Sequence, residues 1–269
     1  MIKDIAGQIR QKISGHTPQT AIILGSGLGS LGDAVCNPVC VEYKDIAGFP
    51  QSTVSGHQGR LIAGSLEGTE VLCLQGRFHL YEGHRPQVIN TVVKTLQELG
   101  INRLIVTNAA GSLNPDFQPG TIMLIKDHIN LSGTNPLIGP NDDSYGPRFP
   151  DMSNAYTAAL RAKMKQIAQE QKIPLDEGIY MMVTGPNFET AAEIHAFRIL
   201  GADAIGMSTV PEVICAAHSG MEVLGLSVLT NMGTGLRTGS QSHAETLAQG
   251  EKASADLQKL VKAFLKQEK

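Results

Sequence analysis

The sequence predicts one α/β domain folded around a mostly buried β-sheet. Three observations carry this expectation. Short apolar runs alternate with amphipathic segments of helical period along all 269 residues. The composition, 42% hydrophobic and 17% charged, is that of an ordinary core-forming globular chain. No internal repeat, low-complexity tract or linker interrupts the pattern, so residues 1–269 are expected to form a single domain.

The elements follow in order. Ile2, Ile5, Ile9 and Ile13 recur at helical spacing and predict a first amphipathic helix. Ala21–Leu24 is a short apolar strand running into Gly25-Ser26-Gly27-Leu28-Gly29. Val39–Tyr43 predicts a second strand, broken by Gly48-Phe49-Pro50. Arg60–Gly64 and the run from Thr69 read as paired strands around a Glu67-Gly68 turn, the second continuing through Val71-Leu72-Cys73-Leu74. Gln87–Leu99 is helical, with Val88, Val92, Leu96 and Leu99 on one face and Gly100 as its stop. Leu104–Thr107 and Thr121–Ile125 are strands, and Asn130–Pro150, rich in Asn, Gly, Pro and Asp, is a long loop. A helix over Asn154–Glu170 and a strand over Ile179–Val183 come next.

Three N-terminal capping patterns punctuate the last third: Thr190 with Glu193, Thr209 with Glu212, and Ser242 with Glu245. Pro211 falls inside the first turn of the second of these helices. Val223–Thr230 is a strongly apolar strand ending at Asn231, and the Gly/Ser/Thr-rich stretch Met232–Ser242 is a candidate lid. A long helix then runs to about Phe264.

A net charge of -3 argues against nucleic acid and against a polybasic membrane contact. No apolar run approaches the roughly 20 residues of a spanning helix, and the N-terminus has no apolar signal core, so the expected location is the cytoplasm. Of the four cysteines, Cys36, Cys40, Cys73 and Cys215, three sit in apolar runs and read as buried thiols of a reducing compartment. The eight histidines form no paired-ligand spacing, so no metal is expected.

Polar residues gather at the ends of predicted strands: Ser26, Arg77, Asn108, Glu189, Ser208 and Asn231. Ligands of open α/β sheets bind at strand ends, so the set points to a shared site. The densest stretch is Gly76–His84, where a cation, an imidazole and a phenol lie within five residues: Arg77, His79 and Tyr81. Gly25–Gly29 is an anion-loop candidate, because its backbone N–H groups are free to approach a phosphate. Gly27-x-Gly29-x-x-Gly32 also fits a dinucleotide fingerprint, with Glu42 as ribose partner, although, with the strand ending at Leu24, it starts two residues late.

From Gly25 to the C-terminal helix the chain resembles the trimeric, low-molecular-mass purine nucleoside phosphorylases. The blocks that carry the resemblance are Gly25–Gly29, Gly56-His57-Gln58-Gly59-Arg60, Gly76–Gly83, Thr107–Gly111, Gly185–Thr190, Gly206–Glu212, Thr230-Asn231 and Ser242-His243. Met232-Gly233-Thr234-Gly235 departs from the mammalian members, which carry a lysine there, and resembles the bacterial type. The resemblance implies a mixed sheet in the form of a distorted barrel flanked by helices. It also implies phosphorolysis of 6-oxopurine ribo- and deoxyribonucleosides such as inosine and guanosine, in purine salvage. The partners it implies are the nucleoside, inorganic phosphate as co-substrate, and two further copies of the chain; no cofactor is implied.

By matching position, phosphate is expected against Ser26, His57, Arg77, the backbone of Ala109, and Ser208. The sugar is expected against His79, Tyr81, Met207 and His243, with Phe149 entering from a neighbouring subunit. The base is expected against Glu189 and Asn231, with Phe188 packing on it. Glu189 as a carboxylate accepts hydrogen bonds only, which suits the N1–H of hypoxanthine and guanine and not adenine N1. Asn231 is expected to donate to purine N7 as charge leaves the sugar, and His79 to position rather than to act as general base. A phosphorylase of broader base range (xanthosine, methylthioadenosine) and a non-catalytic nucleoside- or dinucleotide-binding protein are the alternatives. His84, His128, His195 and His218 are expected to be structural or superficial.

Overall fold

The computed structural model describes residues 1–25, 28–54, 57–236 and 243–268, the stretch 243–251 by its backbone alone. Its elements are α1 (Ile2–Lys12), β1 (Thr20–Ile23), β2 (Cys36–Glu42), β3 (Arg60–Leu66), β4 (Thr69–Gln75), α2 (Pro86–Glu98), β5 (Arg103–Ser112), β6 (Ile122–Asn130), α3 (Ala158–Gln171), β7 (Leu175–Met182), α4 (Ala191–Ile199), β8 (Ala204–Gly206), α5 (Val210–His218), β9 (Glu222–Met232) and α6 (His243–Lys266).

The strands form one mixed sheet in the order β2-β3-β4-β1-β5-β8-β7-β6-β9, and β9 pairs back onto β5. That last pairing closes β5, β8, β7, β6 and β9 into a barrel, from which β1, β4, β3 and β2 extend as an open wing. Strand β5 is the hinge between the two. On one side it runs parallel to β9 over its whole length. On the other, Arg103–Val106 pair with β1, whereas Gly111 and Ser112 pair antiparallel with β8. The sheet therefore splits beside Thr107–Ala110.

Apolar alternation explains why both faces are covered. Ala21 and Ile23 of β1 enter one core with α1, α2 and α5, while Ile22 enters the opposite core with α3 and α6. Of the predicted isoleucine stripe, Ile5, Ile9 and Ile13 are buried, each contributing about 1.5–3 kcal/mol, whereas Ile2 at the start of α1 is only half-buried. The buried stripe of α2 is Ile89, Val92, Val93 and Leu96, leaving Val88 only half-buried at its edge. The β3–β4 hairpin turns at Glu67-Gly68 with both residues at positive φ, the twist that two-residue hairpins favour.

Several expectations are corrected. Residues 154–157 lie outside the helix, which starts at Ala158, with Asn154 Oδ1 accepting from the Ala158 N–H. Cys73 and Cys215 are buried, but Cys36 and Cys40 are exposed, because β2 is the edge of the wing and its outer residues have no covering layer. The Thr190–Glu193 capping box is present at α4. The Thr209–Glu212 box is not: no side chain caps α5, Thr209 has a positive φ of 77°, and Glu212 turns inward. Ser242, of the third box, lies outside the described residues. Gly29–Ala34 form a 3₁₀ turn rather than the α-helix that a dinucleotide fingerprint requires, so no helix N-terminus faces a pyrophosphate there. Gly27 of that fingerprint lies outside the described residues.

Candidate functional site

The split in the sheet is where the polar strand ends meet. Gly25 follows β1 and lies so close to β5 that an added Cβ would stand 2.7 Å from both Asn108 Cα and Thr107 O. The Thr107 hydroxyl stitches the junction, donating to Ile23 O at 2.9 Å and accepting from Gly25 N at 3.1 Å. Arg77, His79 and Tyr81 follow the end of β4, Met207 and Ser208 follow β8, and Thr230 and Asn231 close β9. Phe188 and Glu189 come from the connection between β7 and α4. These groups line one cavity of about 810 Å³, and Asn108–Gly111 of β5 form its wall.

One end of the cavity carries a buried cation. Arg77 is buried, and its guanidinium is heavily engaged. Nε donates to Glu212 Oε1 at 2.8 Å, and Nη1 donates to Thr107 O at 2.9 Å and to Ser208 Oγ at 3.1 Å. The Thr107 carbonyl lies just beyond the last residue that pairs with β1. Nη2 is buried and has no hydrogen-bond partner among the described residues. Thr209, which follows Ser208, accepts from Asn108 Nδ2 at 2.9 Å. Its left-handed backbone is a conformation that costs a β-branched residue about 1–3 kcal/mol and that the surrounding contacts sustain.

A ladder of rings lies beside Arg77. His57 stacks on His79 at 5.3 Å between centroids, and His79 on Tyr81 at 4.6 Å. Burial, and then the nearby Arg77 charge, lower the pKa of both imidazoles, that of His79 to about 4, so both are neutral at physiological pH. Burial pushes the Glu82 carboxyl up, but hydrogen bonds from Thr53 and His79 outweigh it and hold the group below its ordinary range. Glu82 Oε1 accepts from the His79 backbone N–H at 2.8 Å and meets Nδ1 at 3.0 Å. A carboxylate only accepts, so the His79 proton sits on Nδ1 and its Nε2 is an acceptor. His57 Nδ1 lies 3.1 Å from the Arg77 N–H, 3.3 Å from the Arg77 carbonyl and 3.4 Å from the Ser52 hydroxyl, so this nitrogen is held by the main chain of Arg77.

The far end has a carboxylate and an amide. Glu189 is partly buried; burial raises its pKa, and the Glu193 charge adds to the rise. Asn231 is oriented by its neighbours: Thr230 Oγ1 donates to Oδ1 at 2.8 Å, and Nδ2 donates to Met232 O at 3.1 Å, leaving that nitrogen a second N–H. Phe188 is 79% exposed at the cavity rim.

Of the residues expected from the sequence, Arg77, His79, Tyr81, Ala109, Phe188, Glu189, Met207, Ser208 and Asn231 are brought together in the cavity wall. His57 stands behind His79 in the ring stack. Phe149 does not join its own cavity; it lies in the long loop, 88% exposed, beneath the Arg148 guanidinium. Ser26 and the His243 side chain lie outside the described residues, as does the 237–242 part of the Met232–Ser242 stretch. His218, expected to be structural or superficial, is buried and bonds Asn141 of the long loop. Glu212 is the residue that the sequence reading missed. Its capping spacing concealed it, and the one available signal was an acidic residue in an otherwise apolar helix, VPEVICAAH. Among the described residues no three His, Cys, Asp or Glu side chains converge as metal ligands, and no helix is long and apolar enough to cross a membrane.

Comparison with known proteins places this geometry. The family model described as Phosphorylase superfamily matches residues 19–266. The chain is 49% identical over 266 residues to purine nucleoside phosphorylase 1 of Bacillus subtilis, covering 99% of this chain and 98% of that one. Its fold is similar to crystal structures of Schistosoma mansoni purine nucleoside phosphorylase with adenosine and with inosine. Each superposes with a TM-score of 0.92, at 38% and 37% identity, covering 98% of this chain and 96% and 95% of theirs.

Proposed function

The chain belongs to the phosphorylase superfamily, and from that premise we propose that it cleaves the N-glycosidic bond of 6-oxopurine nucleosides with inorganic phosphate. The products are the free purine and α-ribose-1-phosphate, or the deoxyribose counterpart. The observation that carries the reading is the polarity of one cavity: an anion end at Arg77 and Ser208, a carboxylate–amide end at Glu189 and Asn231, and the His57–His79–Tyr81 ladder beside the anion end.

Phosphate binds at the anion end, where Arg77 Nη2, Ser208 and the Ala109 backbone supply donors. The His79 acceptor nitrogen suits a protonated phosphate oxygen or a sugar hydroxyl, and Tyr81 and Met207 flank the sugar. A phosphate oxygen attacks C1′ as the C1′–N9 bond breaks, and the bonding electrons pass into the purine. Positive charge grows on the sugar, next to the phosphate anion. Negative charge grows on the base, where the Asn231 N–H meets N7; a donor so aimed contributes about 2.7–4 kcal/mol to the rate. Glu189 as carboxylate accepts from N1–H of hypoxanthine or guanine. Adenine offers an acceptor at that position, so adenosine sets two acceptors face to face.

The exposure of Phe149 supports a homotrimer in which this ring completes a neighbour's sugar pocket. Residues 1–269 act as one catalytic domain in this reading, and the four free thiols suit the cytoplasm. The deciding experiment measures base release from inosine, guanosine, xanthosine and adenosine with and without phosphate. Hypoxanthine and guanine are released only with phosphate, and adenine slowly. Equal rates without phosphate would mark a hydrolase, and no turnover of any nucleoside a binding protein. Since a Schistosoma relative binds adenosine in its crystal structure, turnover rather than binding is the quantity that decides.

A further inference from the structure

Glu212 stands outside the cavity wall, and the reaction above gives it no contact with substrate. It is nevertheless buried against the cavity's only anion-end cation among the described residues: its Oε1 is 2.8 Å from Arg77 Nε, and the two side chains are 5% and 2% exposed. The partners come from opposite sides of the site, 135 residues apart in sequence, Arg77 after β4 and Glu212 in the first turn of α5. Position and charge are set by the same contact. With Nε on Glu212 and Nη1 on Thr107 and Ser208, Nη2 is the guanidinium nitrogen that has no partner among the described residues. The other charged or titratable groups facing Arg77 add no positive charge: His57 and His79 are neutral, Tyr43, Tyr81 and Tyr180 are phenols, and Glu82 is a carboxylate.

We propose that Glu212 is the positioning and anion-specificity residue of the phosphate site. It turns Arg77 to present Nη2, and it cancels the guanidinium charge, so that the site holds its oxyanion by directed hydrogen bonds instead of net charge. The proposal rests on the phosphorolytic reading of the cavity. An uncompensated buried arginine would hold a dianion tightly and blunt it as a nucleophile. A compensated one holds it weakly and, together with the His79 acceptor nitrogen, favours hydrogen phosphate over sulfate, which has no proton to donate.

The test separates charge from shape. In Glu212→Gln the amide oxygen still accepts from Nε, but the charge is gone. Sulfate and phosphate binding are measured by calorimetry and by thermal shift without nucleoside, and phosphorolysis is measured in parallel. The variant is expected to bind sulfate at least about tenfold tighter than wild type, to gain more thermal stability from either anion, and to show a lower phosphate KM together with a lower kcat. Unchanged or weaker sulfate and phosphate binding would overturn the proposal, because a merely structural contact predicts one of those results. If the glutamine variant does not fold, Glu212→Asp decides. It keeps the charge while retracting it, so sulfate affinity stays within about twofold of wild type while kcat falls; a tenfold gain in sulfate affinity there would sink the idea. Anion binding is read without turnover, so failure of wild type to phosphorolyse nucleosides would refute the reaction and leave the anion result standing.

Discussion

The hydroxyl of Thr230 lies 2.8 Å from Oδ1 of Asn231 and donates to it, which fixes which edge of that amide faces the cavity. If the remaining Asn231 N–H stabilises the departing purine, Thr230→Val, equal in shape but without the donor, lowers kcat about five- to tenfold and leaves the phosphate KM unchanged. Asn231→Ala lowers kcat by about 10²–10³-fold. Steady-state kinetics on inosine at saturating phosphate reads both effects, and a kcat unmoved in Asn231→Ala removes the residue from the chemistry.

His79 sets an acid limit. Its pKa is lowered from 6.5 to about 4 in the fold, so between those values the unfolded chain takes up a proton that the folded chain refuses. The contribution to stability is complete above about 6.5 and is lost progressively as pH falls toward 4. His57, lowered in the same direction, adds to the slope. Urea titrations across this range show the effect, and in His79→Gln the slope is shallower.

Glu189 has the opposite displacement. Because its pKa is raised, its carboxylate is lost on the acid side sooner than an ordinary glutamate, and the guanosine KM climbs there while the phosphate KM does not follow it. Glu189→Gln lowers kcat/KM on guanosine by about 10- to 100-fold and does not lower it on adenosine, whose N1 gains a donor. A parallel loss on both nucleosides shows that Glu189 does not read the base.

Phe149 does not line its own cavity, so a contribution to a neighbour's sugar pocket would show in the substrate KM. Phe149→Ala raises the inosine KM on the order of tenfold, with the mass by light scattering unchanged. A wild-type KM places the ring outside any sugar pocket.

Gly25→Ala tests the split sheet. The added methyl carbon would meet the β5 backbone at 2.7 Å, which a main chain paired there with β9 relieves only by shifting. The expected cost is about 1–3 kcal/mol, read as a lower Tm, with weaker phosphate binding because Arg77 uses the same Thr107 carbonyl.

Local pattern made much of this protein legible. The burial of Ile5, Ile9 and Ile13, the Glu67-Gly68 hairpin, the Gly100 stop of α2 and the Thr190–Glu193 cap are effects of neighbouring residues, and they stand in the structure as read. Of the predicted strand-end residues, Arg77, Glu189, Ser208 and Asn231 were likewise recoverable, whereas Asn108 reaches the cavity from inside β5, which runs on to Ser112, and Ser26 lies outside the described residues. Helix starts without a side-chain cap were less so: Ala158 begins four residues later than its pattern suggests.

Tertiary structure alone decided the rest. The return of β9 onto β5, which closes the barrel, is made by backbone hydrogen bonds that almost any sequence could form, so no side chain announces it. Glu212 has the spacing of a helix cap, yet it neutralises an arginine 135 residues away, because a buried charge is governed by what the fold sets beside it. The sequence by itself determined the α/β alternation, the family resemblance and the residue types of the site. Only the folded chain determined that Glu212 faces Arg77, that the His79 imidazole faces Glu82, and that Arg77 Nη2 has no partner among the described residues.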